Sequence, residues 1–366
     1  MKVLLKYPLF ILVCVDLLLT GSCKKRDVPV AAPSATLKST APFPVGAAVL
    51  ASLLKNDANY RAVVNTEYNS ITTGNELKFD WIEPQQGQFN YADGDYLIAF
   101  AQQYHQRVHA HNLIWNQALP NWVLNFSGDS AAWENLFKTH IQTEVTHYKG
   151  LVDSWDVVNE AIRDDDGTLR NQDVNPGDGS IWRRHLGPGY IARAFRYAHE
   201  ADPGALLFYN DSGQEWSGGL KLDSILALVN RLKAAGIPID GIGMEMHIDI
   251  VNTLNTNITG ALQKLAATGL LIHISELDIS VNPNNDPGIA YTYDLQSQQS
   301  DKYQFVAQTY INAVPKAQQY GITTWDVGDA DSWIPVYYKR KDWPLPFDSL
   351  YRRKTAYTGY LRGLKN

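Results

Sequence analysis

Cysteine is almost absent from this chain. Among 366 residues there are two, Cys14 and Cys23, and both lie in the N-terminal segment described below. The chain is also too long for a disulfide-stabilised miniprotein. Catalysis by a cysteine nucleophile and stabilisation by disulfide bonds are therefore excluded for the body of the protein.

A block of basic residues is missing as well. Lysine and arginine number 32 against 38 aspartate and glutamate, which gives a formal net charge of −6. Without a basic patch the sequence gives little support for a nucleic-acid partner. The remaining composition is that of a globular protein, with 45% hydrophobic and 19% charged residues. Ten tryptophans and twenty tyrosines are unusually many, and flat aromatic faces suit apolar or sugar-ring ligands.

The first residues resemble a secretory signal. Lys2 and Lys6 precede the apolar stretch Leu9–Leu19, which is too short for a comfortable membrane span. The following residues, Leu19-Thr20-Gly21-Ser22-Cys23, resemble a bacterial lipoprotein cleavage site, which predicts that Cys23 becomes the lipidated first residue. The alternative is an ordinary signal peptide followed by an incidental cysteine.

These features predict three segments. Residues 1–22 form the lipoprotein signal peptide, residues 23–43 form a flexible tether rich in Pro, Ala, Ser and Thr, and residues 44–366 form one catalytic domain. The protein is then exported and held by the lipid on Cys23 in the bacterial envelope, in the periplasm or at the cell surface. We expect a monomer that contacts the membrane through this lipid alone.

The body of the chain alternates between short apolar runs and longer helical patterns. The predicted strands are Val45–Leu50, Ala62–Asn65, Val108–Trp115, Val152–Asn159, Ala205–Tyr209, Ile239–Met246, Leu270–Leu277 and Gly321–Val327. The predicted helices include Tyr96–His105, Trp133–Tyr148, Ile191–His199, Leu220–Ala235, Ile258–Thr268 and Ser300–Gln319. Strand and helix in alternation, about eight times, predict an α/β fold with a single (β/α)₈ TIM barrel.

Polar residues follow the predicted strands at the point where each strand ends. Carboxylates, amides, imidazoles and indoles stand at six of these ends, in His109–Trp115, Trp155–Glu160, Tyr209–Asp211, Met244–His247, Ser275–Asp278 and Trp325–Asp329. In a TIM barrel these ends form the mouth that carries the active site. A mouth lined with acids and tryptophans indicates glycoside hydrolysis, which needs two carboxylates about 5 Å apart if the configuration is retained.

Seven segments in order resemble one family. They are Asn75–Lys78, His111–Trp115, Trp155–Ala161, Ala198–Pro203, Tyr209–Asp211, Ile274–Ile279, and Trp325 with Ser332-Trp333. From about Pro44 to Leu361 the chain resembles the xylanase family of barrel glycoside hydrolases, glycoside hydrolase family 10. The resemblance implies a retaining endo-β-1,4-xylanase that acts on xylan or decorated xylan, with no metal or organic cofactor.

The resemblance also implies roles for two glutamates. Glu160 matches the general acid/base, which must be protonated at rest and therefore needs a raised pKa. Glu276 matches the nucleophile, which attacks the anomeric carbon to form a covalent glycosyl-enzyme.

Further residues match the family's substrate contacts. Asn159 matches the residue that hydrogen-bonds the 2-hydroxyl of the reacting sugar. His247 matches the residue that supports the nucleophile. Asn210 and Asp278 match positions where a supporting role is expected. The other matched contacts, to sugar hydroxyls and ring faces, are Asn75, Lys78, His111, Trp115, Trp325 and Trp333.

The sequence departs from the family pattern at several positions. Gly74 replaces a glutamate, and Asn116 and Ala118 replace a histidine and a glutamine, so the distal glycone subsite is expected to be weak and roomy. Asp326 replaces a glycine on the last strand. Glu245 stands where a glutamine normally donates a hydrogen bond to the nucleophile. An ionised glutamate has no proton to donate, so we expect Glu245 and Glu276 to share one proton, unless Glu245 turns to a cation such as Lys78 or His247.

Three alternatives stay open. His109 and His111 alternate on one strand and could ligate a metal in a different class of barrel hydrolase. A related β-glycanase with altered glycone specificity would keep the same machinery. A non-catalytic glycan-binding lipoprotein would keep the barrel, although it has no reason to keep both glutamates.

Overall fold

The computed structural model of the chain describes residues 35–171, 179–216 and 219–365. The predicted signal peptide, Cys23 and the first part of the predicted tether lie outside these residues. No helix in the described ranges is long and apolar enough to cross a membrane.

Parallel strands form a closed barrel. They are β1 (Val45–Val49), β2 (Ser70–Thr73), β3 (Arg107–Ile114), β4 (Ser154–Asn159), β5 (Leu206–Asp211), β6 (Gly241–Met244), β7 (His247–Asp249), β8 (Leu271–Ser280) and β9 (Gln319–Thr324). Each strand from β1 to β5 pairs with the next, β6 pairs with β8, and β9 closes the ring by pairing with both β8 and β1. The short β7 extends the outer end of β8, where His247 lies opposite Asp278. The predicted (β/α)₈ barrel is confirmed.

Helices surround the barrel and alternate with the strands. They are α1 (Leu37–Thr40), α2 (Ala51–Asn56), α3 (Ala58–Glu67), α4 (Phe79–Ile82), α5 (Ala92–Gln103), α6 (Asn121–Leu124), α7 (Ser130–His147), α8 (Ile181–Leu186), α9 (Tyr190–Ala201), α10 (Leu220–Ala234), α11 (Asn255–Ala266), α12 (Tyr293–Ala313), α13 (Trp333–Tyr337) and α14 (Thr355–Gly363). Side chains of Asp57, Asp129 and Thr292 accept backbone hydrogen bonds at the starts of α3, α7 and α12, which satisfies amides that a helix leaves unpaired.

The second predicted strand is wrong. Residues 62–65 lie inside α3, and the strand at this place in the barrel is β2. The buried residues of α3 are Tyr60, Val64 and Glu67, spaced four and three apart as on one helix face. The three consecutive apolar residues 62–64 had concealed that period.

The folded unit also begins earlier than predicted, at Ala35 rather than at residue 44. Residues 35–43, assigned above to the tether, contain α1, which starts with a capping box formed by Thr36 and Ser39. Leu37 is fully buried, and its backbone amide donates to Glu67 Oε2 at 3.1 Å. Burial of this leucine offsets the entropy that a free tether would retain.

Candidate active site

The mouth of the barrel brings the two predicted catalytic glutamates together. Glu160 directly follows β4, with a backbone φ of +49°, and Glu276 lies within β8. The backbone amide of Glu160 donates to the carbonyl of Asn210 at 3.0 Å, and that of Glu276 to the carbonyl of Glu245 at 3.1 Å. Backbone pairing with a neighbouring strand end therefore fixes the base of both side chains.

Two amide side chains connect the carboxylates. Asn210 Nδ2 lies 2.8 Å from Glu276 Oε1 and 2.8 Å from Asn159 Oδ1. Asn159 Nδ2 in turn donates to Glu160 Oε1 at 3.3 Å. The orientation of Asn210 is set by Ser275, whose hydroxyl donates to Asn210 Oδ1 at 2.7 Å. Asn210 thus supports Glu276 directly, in keeping with the supporting role expected of it.

Glu160 is held in an environment that favours its protonated form. Burial raises its pKa to about 7, and the negative charges of Asp211 and Glu276 act in the same direction. The cations Lys221 and Arg170 oppose this rise, and Arg170 Nε also donates to the Glu160 carbonyl at 2.6 Å. A carboxyl group with such a pKa can donate a proton near neutral pH.

His247 stands between the nucleophile position and a buried carboxylate. Its Nδ1 is 2.8 Å from Asp278 Oδ2, and its Nε2 is 3.3 Å from Glu276 Oε2. Burial disfavours the charged imidazole, but the carboxylates of Asp278 and Glu276 together raise the pKa of His247 well above its usual value. Trp333 Nε1 donates to the same Asp278 oxygen at 2.8 Å, so Asp278 orients both the histidine and the indole.

Glu245 is buried beside Glu276. Its Oε1 accepts from Asn210 Nδ2 at 3.2 Å, and its Oε2 lies 3.7 Å from His247 Nε2. Burial, and then the charges of Glu276 and Glu160, raise the pKa of Glu245 well above its usual value. The side chain therefore stays within the catalytic cluster, next to the histidine. In the described part of the chain, Glu245, His247 and Glu276 are the set whose donor atoms, all within 4.8 Å of one another, could share a metal ion.

The predicted glycone contacts form a second cluster at the mouth. Lys78 Nζ donates to Asn75 Oδ1 at 2.9 Å and lies 5.5 and 5.4 Å from the ring centres of Trp115 and Trp325. His111 packs edge-on against Trp325 with ring centres 5.1 Å apart. Two indole rings and an ammonium group thus converge, as a site for a polar ring requires. Burial lowers the pKa of Lys78, while Glu276 and Asp326 favour its charged form.

The two strand histidines share one carboxylate rather than an open metal site. His109 Nε2 and His111 Nδ1 lie 3.0 and 2.9 Å from the same oxygen of Asp156. His109 Nδ1 is also 2.6 Å from Ser154 Oγ. Both nitrogens of His109 are therefore engaged inside the barrel, and this arrangement gives the metal alternative no support.

The structure explains two departures from the family pattern. Asp326 has a φ of +76°, a conformation that favours glycine and that aspartate tolerates better than most residues. Its carboxylate accepts from the Trp333 amide at 3.0 Å. At Gly74 a Cβ would lie 2.8 Å from a methyl carbon of Leu50, so a larger residue there requires that side chain to move.

One functional group was missed by the sequence analysis. Lys221 is 5% exposed and lies 2.7 Å from Asp211 Oδ1. It also donates to Asp164 in the loop after Glu160. Since Asp211 raises and Lys221 lowers the pKa of Glu160, this buried pair influences the acid/base group. No motif surrounds Lys221, so only the fold brings it to the site.

Comparisons with known proteins identify the family of the chain. The sequence profile described as Glycosyl hydrolase family 10 matches residues 34–362. The chain is 36% identical over 349 residues to endo-1,4-beta-xylanase A of Cellvibrio japonicus (strain Ueda107), covering 90% of this chain and 56% of that protein. It thus spans little more than half the length of this curated relative.

Solved structures of similar proteins share the fold. A mutant of xylanase10C from Cellvibrio japonicus in complex with xylopentaose aligns with a TM-score of 0.84 at 33% identity, covering 90% of this chain and 69% of that one. Native xylanase 10B from Thermotoga maritima aligns with a TM-score of 0.82 at 31% identity, covering 90% of this chain and 98% of that one.

Proposed function

Because this chain belongs to glycosyl hydrolase family 10, we propose that it is a retaining endo-β-1,4-xylanase acting on xylan-type β-1,4 glycans. The observation that carries the proposal is the contrast between two linked carboxyl groups. The pKa of Glu160 is raised to about 7, whereas Glu276 receives a hydrogen bond from Asn210 and faces a charged His247. Groups that hydrogen-bond or balance the charge of a carboxylate favour its ionised form.

In the first step, Glu276 attacks the anomeric carbon while Glu160 gives its proton to the leaving glycosidic oxygen. The bond from the carbon to that oxygen breaks, and an ester bond to Glu276 forms. Asn159, held by Asn210, is placed to bind the 2-hydroxyl of the same sugar, a contact that strengthens in the transition state.

In the second step, Glu160 is ionised and takes a proton from water. That water attacks the anomeric carbon and releases Glu276, so two inversions leave the configuration retained. Loss of the negative charge on Glu276 in the intermediate removes one of the charges that raise the pKa of Glu160. Glu160 therefore becomes a carboxylate when a base is needed.

This assignment predicts different behaviour for two variants. Glu276→Ala should abolish hydrolysis, because no covalent intermediate forms. Glu160→Ala should still form the glycosyl-enzyme from substrates with good leaving groups, because these need little proton donation. Azide should partly restore turnover of that variant by attacking the intermediate, and it should yield the β-configured glycosyl azide. Rates on xylan and on an aryl β-xylobioside, with and without azide, measure both effects.

Two results would contradict it. Equal losses on activated and natural substrates in Glu160→Ala, without azide rescue, would reverse the two roles. Binding of xylan by the intact wild-type chain without turnover of any β-glycan would instead favour the non-catalytic glycan-binding alternative. Circular dichroism of each variant checks that the barrel is folded.

We also propose that the protein is an exported monomeric lipoprotein. The support is the segment that ends in Gly21-Ser22-Cys23 and the Pro- and Ala-rich residues after it. Expression of the full chain in a bacterium with labelled palmitate should label the wild type and leave Cys23→Ala unlabelled. Equal labelling of both would contradict the lipid on Cys23.

A further inference from the structure

Two cavities are lined by residues of β7 and β8 and of the segments that follow β5, β7, β8 and β9. The first, here called the cleft cavity, measures about 540 Å³ and is lined in part by His247, Asp278 and Trp333. The second, here called the side cavity, measures about 590 Å³ and is formed largely by the segment that follows α13. Arg340 lines both, so the two cavities share one side chain, and the cleft cavity reaches the catalytic cluster through His247, which lies 3.3 Å from Glu276.

The side cavity has an excess of positive charge. Arg340 is balanced by Asp342 at 3.1 Å, and Asp329 in the same wall is balanced by Lys354 at 2.8 Å. Lys339 and Lys341 also line the cavity, and among the described residues no carboxylate lies within ion-pair distance of either. Two uncompensated ammonium groups, in a protein of net charge −6, favour an anionic ligand.

The other lining groups suit a sugar ring. Trp343 lines the side cavity, and its orientation is fixed because it stacks on Tyr291 with ring centres 5.2 Å apart and planes at 15°. Asn285 and Ser349 add an amide and a hydroxyl to the wall. An indole face combined with such groups is a common way to hold a pyranose, which has apolar faces and hydroxyl edges.

Arg340, which lines both cavities, is fixed by hydrogen bonds and by a contact with an aromatic ring. Arg340 Nη2 donates to Ser280 Oγ at 2.9 Å, and Nε donates to Asp342 Oδ2 at 3.1 Å. The guanidinium also lies 4.5 Å from the ring centre of Tyr338. The position of Arg340, the side chain that both cavities share, is therefore fixed.

We propose that the side cavity binds a uronic acid branch of an acidic xylan whose backbone lies in the cleft cavity. Lys339 and Lys341 attract the carboxylate, and Trp343 contacts the sugar ring. The inference rests on the proposed function, since it identifies the kind of decorated xylan that the same active site cleaves.

The test compares glucuronoxylan with the same polymer after chemical reduction of its carboxyl groups. Backbone and branch positions are identical, and only the charge of the branch differs. For the wild type we expect kcat/KM to be about five-fold higher on the acidic polymer at low salt, and the ratio to approach one at high salt. In the double variant Lys339→Gln/Lys341→Gln the ratio should be close to one at every salt concentration.

A matched control separates local from overall charge. Lys138→Gln/Lys264→Gln removes two positive charges from α7 and α11, on the outside of the barrel, and should keep the wild-type ratio. Equal kcat/KM of the wild type on both polymers would overturn the inference, as would an unchanged ratio in Lys339→Gln/Lys341→Gln or an equal loss in the control. Failure of the wild type to cleave either polymer would instead contradict the proposed function.

Discussion

At the scale of single residues, Glu245 is the most informative departure from the family pattern. The glutamine expected at this position donates a hydrogen bond at any pH, whereas a glutamate donates only when protonated. Glu245 is 2% exposed, and burial together with Glu276 and Glu160 raises its pKa well above the usual value. We therefore expect Glu245 to be neutral and to act as a hydrogen-bond donor beside Glu276.

Glu245→Gln should extend activity to higher pH. In the wild type, the proton on Glu245 is lost as the pH rises, which places a second negative charge beside Glu276. An amide cannot lose that proton, so the alkaline limb of the kcat/KM profile should move to higher pH. The pH–rate profile on xylan measures the shift.

The comparison variant for this experiment is Glu144→Gln. Glu144 is also buried, with a pKa well above its usual value because of burial, but it lies on the outer helix α7. Its substitution should leave the alkaline limb in place. The shared proton would be ruled out by an unchanged limb in Glu245→Gln.

At the scale of elements, α14 shows how close packing overrides weak local propensity. It contains two glycines, which disfavour helix. A Cβ at Gly359 would lie 2.0 Å from the Ser300 carbonyl oxygen, and one at Gly363 would lie 2.4 Å from the Gln304 carbonyl oxygen. These glycines let α14 approach the backbone of α12, and burial of Tyr357 and Tyr360 stabilises the contact.

Gly359→Ala should lower the free energy of unfolding by about 3 kcal/mol, because the added methyl forces the two helices apart. Gly260→Ala is the matched control in α11, where a Cβ meets nothing within 4 Å. It should raise the free energy of unfolding by about 0.5–1 kcal/mol through helix propensity. Urea unfolding followed by circular dichroism measures both, and equal effects of the two variants would show that the contact is not tight.

The elements that could be predicted from the sequence are those with a strong local pattern. The buried strands β4 and β8 mix apolar and polar residues, and they could be located because Glu160 and Glu276 lie in recognisable motifs there. A strand was predicted within α3 because the three adjacent apolar residues 62–64 hide the helical spacing of the buried side chains. Lys221 and Lys339 could not be assigned, because their roles depend on partners or cavities that only the folded chain brings together.

At the scale of the whole molecule, buried carboxyl groups link stability to pH. Burial raises the pKa of Glu215 to about 7 and that of Glu160 to about 7. Between the unfolded value near 4.5 and the folded value, the folded chain binds more protons than the unfolded chain. The contribution of these two groups to the free energy of unfolding is then greatest below pH 4.5, and it is lost as the pH rises through 7. His247, with a raised pKa, acts in the same direction above pH 6.5.

We therefore expect a melting temperature several degrees higher at pH 5 than at pH 8. Glu215 is 1% exposed, and none of its carboxylate oxygens has a hydrogen-bond partner in the described chain. Glu215→Gln should raise the melting temperature at pH 8 and change it little at pH 5, because the amide stays neutral. Calorimetry at both values checks this. If the melting temperature of Glu215→Gln differs between pH 5 and pH 8 as much as that of the wild type, Glu215 is not responsible for the pH dependence.

The closure of the barrel by β9 also determines when the chain can finish folding. β1 pairs with β9, and Glu67 in α3 binds both the Leu37 amide and Arg353 near the C-terminus. Until β9 pairs with it, β1 keeps an unpaired edge, which is a site for wrong association. Contacts between segments so distant in sequence also form slowly. The barrel therefore closes only when β9 and the segment around Arg353 reach the N-terminal strands.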